Sequence, residues 1–264
     1  MNEELFELEL VGGSIERRYR ALRPEVEAMP WGTLDPSGFP TELVEAARTA
    51  WTGAAFQEHR TGAACAATLQ SLIEARAPLD LVALACRFPL DEMVHVELCA
   101  RVAMELGGAA ELTYRPDELV AQIGVGHEPL RKAAHQVVAF FCVGEALSIP
   151  LLAGTAKACT HPLTRAVIER IVRDEADHGT FGWAFLDWAL PLLDAADRDA
   201  LADTARLAIR GVEANWDDIR RRPPASEAHA NDLGWMTTDA YLALAERSLH
   251  HNVRAPLHAR GIAV

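Results

Sequence analysis

The pattern Asp-Glu-x-x-His occurs twice in the chain, as Asp91-Glu92-Met93-Val94-His95 and as Asp174-Glu175-Ala176-Asp177-His178, each time inside an apolar, helix-forming run. On a helix, a glutamate and a histidine three residues apart stand on one face, about 60° apart around the axis, so both can reach one metal ion. Each copy follows another apolar helical run with a glutamate near its middle, Glu58 before the first and Glu145 before the second. A chain built this way must bring acids and imidazoles into an apolar interior. Buried charge of that kind persists only when it is paired or coordinated.

The spacing predicts a common depth. In an antiparallel helix pair, residues equidistant from the connecting turn lie at equal height. The midpoint between Glu58 and Glu92 is position 75, within the predicted Glu74 to Pro78 turn, and that between Glu145 and Glu175 is position 160, within Cys159 to Pro162. The expected metal ligands are therefore Glu58, Glu92, His95, Glu145, Glu175 and His178. Their four carboxylates balance two divalent cations. Oxygen and nitrogen donors without thiolates suit iron, manganese or a mixed pair rather than structural zinc.

Composition agrees with an all-α chain: of 264 residues half are hydrophobic, mostly alanine and leucine, while aromatics make up 6%. The net charge of −13, with no stripe of Lys and Arg, argues against a nucleic-acid partner. Cys65, Cys86, Cys99, Cys142 and Cys159 stand singly and are expected to be reduced core residues. The opening residues are acidic where a signal peptide would be basic, so a cytoplasmic location is expected. Val137 to Ala153 is apolar apart from Glu145 and Ser148. A glutamate in mid-span is accounted for by a bundle core and not by a membrane, so no membrane association is expected.

Along the chain, a lead-in with a short helix over about Ser14 to Ala28 precedes helix A, which starts at Thr41 as N-cap and runs to about Arg76. Helix B covers about Asp80 to Leu106 with a kink near Phe88 imposed by Pro89. A long connection over 109–126, with a short helix at Asp117 to Gln122, crosses to helix C (about Glu128 to Ala158) and helix D (about Leu163 to Leu190). A further helix over about Ala195 to Arg221, a Pro223-Pro224 break and a last helix over about Thr237 to His250 complete the chain. No linker divides it, so one domain is expected over 1–264, with a bundle core over about 41–190 and a C-terminal helical extension over about 195–264.

With these residues in place, the stretch from about Thr41 to Leu190 resembles the ferritin-like di-iron carboxylate superfamily, and its doubled Asp-Glu-x-x-His resembles that of the O2-activating oxygenases in particular. The resemblance implies a four-helix bundle with a long crossover between helices B and C, flanked by an N-terminal helical arm and two extra C-terminal helices. It implies two iron ions bridged by Glu92 and Glu175, with Glu58 and Glu145 as terminal ligands and one imidazole, His95 or His178, per metal. Asp91 and Asp174 would then accept the distal N–H of a ligand histidine.

The departures narrow the reaction. Tyr19, Tyr114 and Tyr241 lie off the four bundle helices, which disfavours a radical-generating reductase subunit; Ile171 replaces the extra histidine that arylamine N-oxygenases carry; the Cys-x-x-Cys module of rubrerythrins is missing. The expected activity is an oxidoreductase that uses O2 and a separate electron donor on a small organic substrate. The rival is a ferritin-type protein for iron oxidation and storage. The N-terminal arm and C-terminal helices would close a substrate pocket or a homodimer interface. His59 and His135 are expected to be structural or surface residues, His250 and His251 surface residues, and Phe140, Phe141, Phe181, Trp183 and Trp188 core packing.

Overall fold

The computed structural model describes residues 3–221 and 227–264. The Pro223-Pro224 break lies outside the described residues. The chain is mostly helical, with 75% helix and 2% strand, as an all-α reading expects.

After strand β1 (Glu4–Leu5), helix α1 (Gly13–Ala21) and a 3-10 turn at Pro24–Ala28, helix α2 runs over Thr41–Glu74. Thr41 is the first helical residue rather than the cap, because Pro40 precedes it in an extended conformation and supplies no side-chain acceptor. Arg76, in the left-handed region at φ 54°, reverses the chain. The single kinked helix expected next is two helices, α3 (Leu79–Ala85) and α4 (Phe88–Glu105), separated at Cys86 and Arg87. Pro89 then falls in the first turn of α4, where its missing N–H breaks no hydrogen bond.

The crossover contains strand β2 (Thr113–Tyr114), antiparallel to β1 with Glu4 opposite Tyr114, and a 3-10 turn at Pro116–Glu118 in place of the longer helix expected at Asp117 to Gln122. The third bundle stretch is not uniformly α-helical. Helix α5 (Pro129–Val137) passes into a π-helical segment, Val138–Glu145, before α6 (Ala146–Ala158). Helix α7 spans Pro162–Ala189 and α8 Ala195–Arg221. The last region holds α9 (Ala230–Leu233), α10 (Thr238–Ser248), a π-helical turn at Leu249–Arg254 and α11 (Ala255–Ala259).

Helix α2 packs along α4, α6 along α7, and the two pairs meet through α2 with α5 and α4 with α7. Helix α8 covers the π-helical segment, and α10 covers α6. Pro129–Ala158 is long and apolar enough to cross a membrane, yet 56% of its most apolar window is buried in the protein interior.

The apolar core falls into two clusters. One joins Ala55 of α2, Leu98 of α4 and Ile171 of α7; the other joins Cys65 of α2, Phe88 of α4 and Phe181 of α7. On α2, α4 and α7 the two clusters are separated by the segments that carry Glu58, Glu92 with His95, and Glu175 with His178. A polar layer thus crosses the molecule between two greasy ends.

Candidate metal centre

Each ligand candidate sits where its helix turns toward that layer. Glu92 and His95 of α4 are fully buried, as is His178 of α7; Glu175 is 2% exposed and Glu145, at the end of the π-helical segment, 7%. The side chain of Glu58 on α2 is 19% exposed. The six assemble into two groups, each with ligand atoms within 4.8 Å of one another: Glu58, Glu92, His95 and Glu175 in one, Glu92, Glu145, Glu175 and His178 in the other. Glu92 and Glu175 belong to both.

The oxygens divide accordingly. Glu92 sets Oε2 3.6 Å from His95 Nδ1 and Oε1 3.1 Å from His178 Nδ1. Glu175 sets Oε1 3.3 Å from His95 Nδ1 and Oε2 3.0 Å from His178 Nδ1. Each shared carboxylate therefore offers one oxygen to each half. Glu58 Oε2 lies 3.7 Å from His95 Nδ1.

The remote ring nitrogens meet the aspartates in a crossed pattern. His95 Nε2 lies 3.1 Å from Asp174 Oδ2, and His178 Nε2 lies 3.6 Å from Asp91 Oδ2. Each motif's aspartate thus faces the histidine of the other motif; the His95–Asp174 hydrogen bond ties α4 to α7, Asp91 and His178 stop short of hydrogen-bond distance, and both Nδ1 atoms turn toward the glutamates. Behind the aspartates stand two arginines that the sequence reading missed. Arg87 pairs with Asp91 at 3.0 Å and lies 3.8 Å from Asp174, while Arg170 pairs with Asp174 and binds Glu25 of the N-terminal arm at 2.9 Å. Their signal was present: both motifs read Arg-x-x-x-Asp-Glu-x-x-His, with the arginine one turn before the aspartate.

The donor atoms aim at one another with nothing between them. Both oxygens of Glu92, Oε2 of Glu175, and Nδ1 of His95 and of His178 are buried and find no hydrogen-bond partner among the described residues. Orphaned buried polar atoms are uncommon, and five in one cluster fit a pair of cations.

The titration behaviour has the same origin. Burial would strip the proton from each imidazole, but the carboxylates of Glu175, Glu58 and Glu92 raise His95 well above its ordinary range, and Asp91, Glu175 and Glu92 push His178 up to about 12. Burial pushes Glu58 up to about 7 and, reinforced by the charges of Glu175 and Glu92, raises Glu145 well above the carboxylate range. Burial acts on Glu175 in the same sense, yet the imidazoles of His178 and His95 beside it outweigh burial and hold that carboxyl low. Without cations, the site gathers protons in their place. Burial also raises the Cys65 and Cys99 thiols well above their usual value, which keeps them neutral and poor as ligands.

No family model, curated protein or solved structure matches the chain.

Two cavities reach the cluster. One of about 440 Å3 touches Glu58 and is walled by Trp51, Leu152, Ile168 and Ile171, with Trp235 and Met236 over it. The other, of about 320 Å3, touches Glu145 and carries Gln57, Arg60, Thr61 and Ser148. Of the aromatic residues assigned to core packing, Phe141 and Phe181 are buried, in a cluster with Phe88 whose ring lies 4.2 Å from that of His178. Phe140, Trp183 and Trp188 are partly buried against the same core, with Phe140 also lining the Glu145 cavity and Trp183 lying under Arg260. His135 is a buried structural residue, its Nδ1 2.7 Å from Thr204 Oγ1; His59 packs on Phe6; His250 and His251 are exposed. Cys86, expected in the core, is exposed because it sits at the break between α3 and α4, whereas the other four cysteines are buried.

Proposed function

We propose that the chain is a ferritin-like, non-haem di-iron oxidoreductase that uses O2 to oxidise a small organic molecule, with electrons from a separate donor. Glu92 and Glu175 would bridge the two irons, Glu58 and His95 would complete one site, and Glu145 and His178 the other. Manganese, or a mixed pair, would suit the same donors. When bound, such a centre supplies the redox power and the activation of O2 that side chains lack.

The protein contributes position and exclusion of water. Asp174 fixes the ring orientation and tautomer of His95, so that its Nδ1 is presented unprotonated once protons yield to metal, and Asp91 places a carboxylate 3.6 Å from His178 Nε2. Phe88, Phe141 and Phe181 close the floor beneath His178 and keep that side dry. Arg87 and Arg170 neutralise the two aspartates, so their negative charge is not added to that of the glutamates.

The observation that carries the reading is the apolar cavity that ends at Glu58. A cavity walled by tryptophan, leucine and isoleucine suits an organic molecule beside a redox centre. Anaerobic Fe(II) titration followed by O2, watched by optical and Mössbauer spectroscopy, tests it. Two irons per chain that are oxidised together in a small assembly support the reading. A shell of about two dozen chains would point to storage, and failure to bind iron would refute both.

A further inference from the structure

We propose that the cavity at Glu58 binds an uncharged, predominantly apolar molecule bearing one hydrogen-bonding group. That this molecule is a substrate rests on the oxygenase reading above; that it binds rests on the cavity alone.

The cavity is a joint product of the bundle and the C-terminal region. Helices α2, α6 and α7 contribute Trp51, Leu152, Ile168 and Ile171, α4 adds Cys99 and α8 Ile219, and the stretch from Gly234 to Tyr241 forms a further wall of a cavity that stays open on one side. Its volume of about 440 Å3 lies in the range of small-molecule sites, about 300–1,000 Å3. Trp51 is held in place, since its Nε1–H donates to Leu233 O at 2.9 Å. Gly234, at φ +105°, passes so close that a Cβ there would lie 2.5 Å from Trp51 Cζ2. A wall fixed in this way is a preformed surface rather than a gap left by loose packing.

Charge selects the class of ligand. Glu58 is the one carboxylate in the lining, and no Lys, Arg or His accompanies it among the described residues. An anion entering here would lose its hydration and face Glu58 without a counter-ion. A cation would compete with the metals for the same carboxylate. A neutral molecule meets neither penalty. Thr155, Thr238 and Tyr241 offer hydroxyls for one polar group, and the Thr155 hydroxyl, which already donates to Leu151 O at 2.9 Å, remains free to accept. Ile171, one turn before Glu175, makes apolar wall of a position from which a polar side chain would reach the metal ligands.

The test compares 2-naphthalenemethanol with 2-naphthoate, a pair alike in size and different in charge, by calorimetry on manganese-loaded and metal-free protein. The alcohol should bind once per chain in both forms, and the carboxylate at least about 30-fold more weakly. Leu152→Trp and, independently, Ala54→Phe fill the cavity and should each weaken the alcohol by about tenfold or more, with the melting curve and manganese stoichiometry retained. Equal binding of the two probes, binding that survives both substitutions, or no binding in either form would overturn the assignment. Manganese stoichiometry on the same samples separates the two readings. Probe binding without metal uptake would sink the oxygenase and leave the cavity assignment standing, and two metals without probe binding would do the reverse.

Discussion

Glu92 and Glu175 differ from the other four candidates because each divides its two oxygens between the two imidazoles. Removing either should therefore disturb both halves, whereas removing Glu58 should disturb the half that contains His95. Glu92→Ala and Glu175→Ala are expected to lose the paired centre and bind at most one iron per chain, measured by anaerobic titration; two irons in either variant would remove the bridging assignment. The crossed contacts of Asp174 with His95 and Asp91 with His178 lead to a separate expectation. Asp174→Asn and Asp91→Asn keep shape and lose charge, and each should weaken metal binding by about 10–100-fold without unfolding the protein. At this scale the sequence was informative because the motif occurs twice: repetition, spacing and apolar context identified six residues that share one layer, five of them buried and Glu58 partly exposed. The crossing was not legible. Asp91 stands one turn from His95 in sequence, and only the approach of α4 to α7 turns each aspartate to the opposite histidine.

Among the elements, the helix pairs were legible from periodicity and turn chemistry, and α8 matches the expected range from Ala195 to Arg221. The interruptions were less so. Local signals stand at the end of the π-helical segment, Gly144 within Val138–Glu145 and Pro150 inside α6, where the missing N–H leaves the carbonyl of Ala146 without its helical partner, and the stretch widens to a π-helix just before α6. Packing against α7 and α8 then holds the widened turn in place. Gly62 lacks a side chain, which lets α2 approach α4 at the height of the site: a Cβ there would lie 2.6 Å from Met93 Cε and 3.1 Å from Glu92 Cβ. Gly62→Val displaces the flexible Met93 methyl and presses on Glu92 Cβ, and so on the spacing of the two helices. A loss of roughly 1–3 kcal/mol is expected from overpacking, seen as a lower Tm, together with reduced metal occupancy as Glu92 is displaced. Full occupancy with the lower Tm would mean that helix separation and ligand placement are independent here.

For the molecule as a whole, the sequence announced a bundle with added C-terminal helices but not what the addition does. Trp51 bonds to Leu233 across 182 positions, and a contact of that range leaves no local signature. The centre also couples the whole fold to pH. Glu58 titrates near 7 in the fold against an ordinary 4.5, so the folded metal-free protein holds a proton there that the unfolded chain has released. Its contribution is complete below 4.5 and is lost as pH rises through 7. His178, raised from 6.5 to about 12, acts in the same sense: its charged form supports the metal-free fold fully below 6.5, and that support declines as pH climbs toward 12. Metal ions displace these protons, so their affinity must rise over the range in which the metal-free site loses its own support. Differential scanning calorimetry of metal-free and manganese-loaded protein from about pH 5 to about pH 8 should therefore show the gap in Tm widening as pH increases. Acid titration of the remaining surface carboxylates affects both forms alike and cancels in the gap. A gap that stays constant or narrows would mean that the cations do not replace protons in this layer, and that the glutamates and histidines are held together by hydrogen bonding alone.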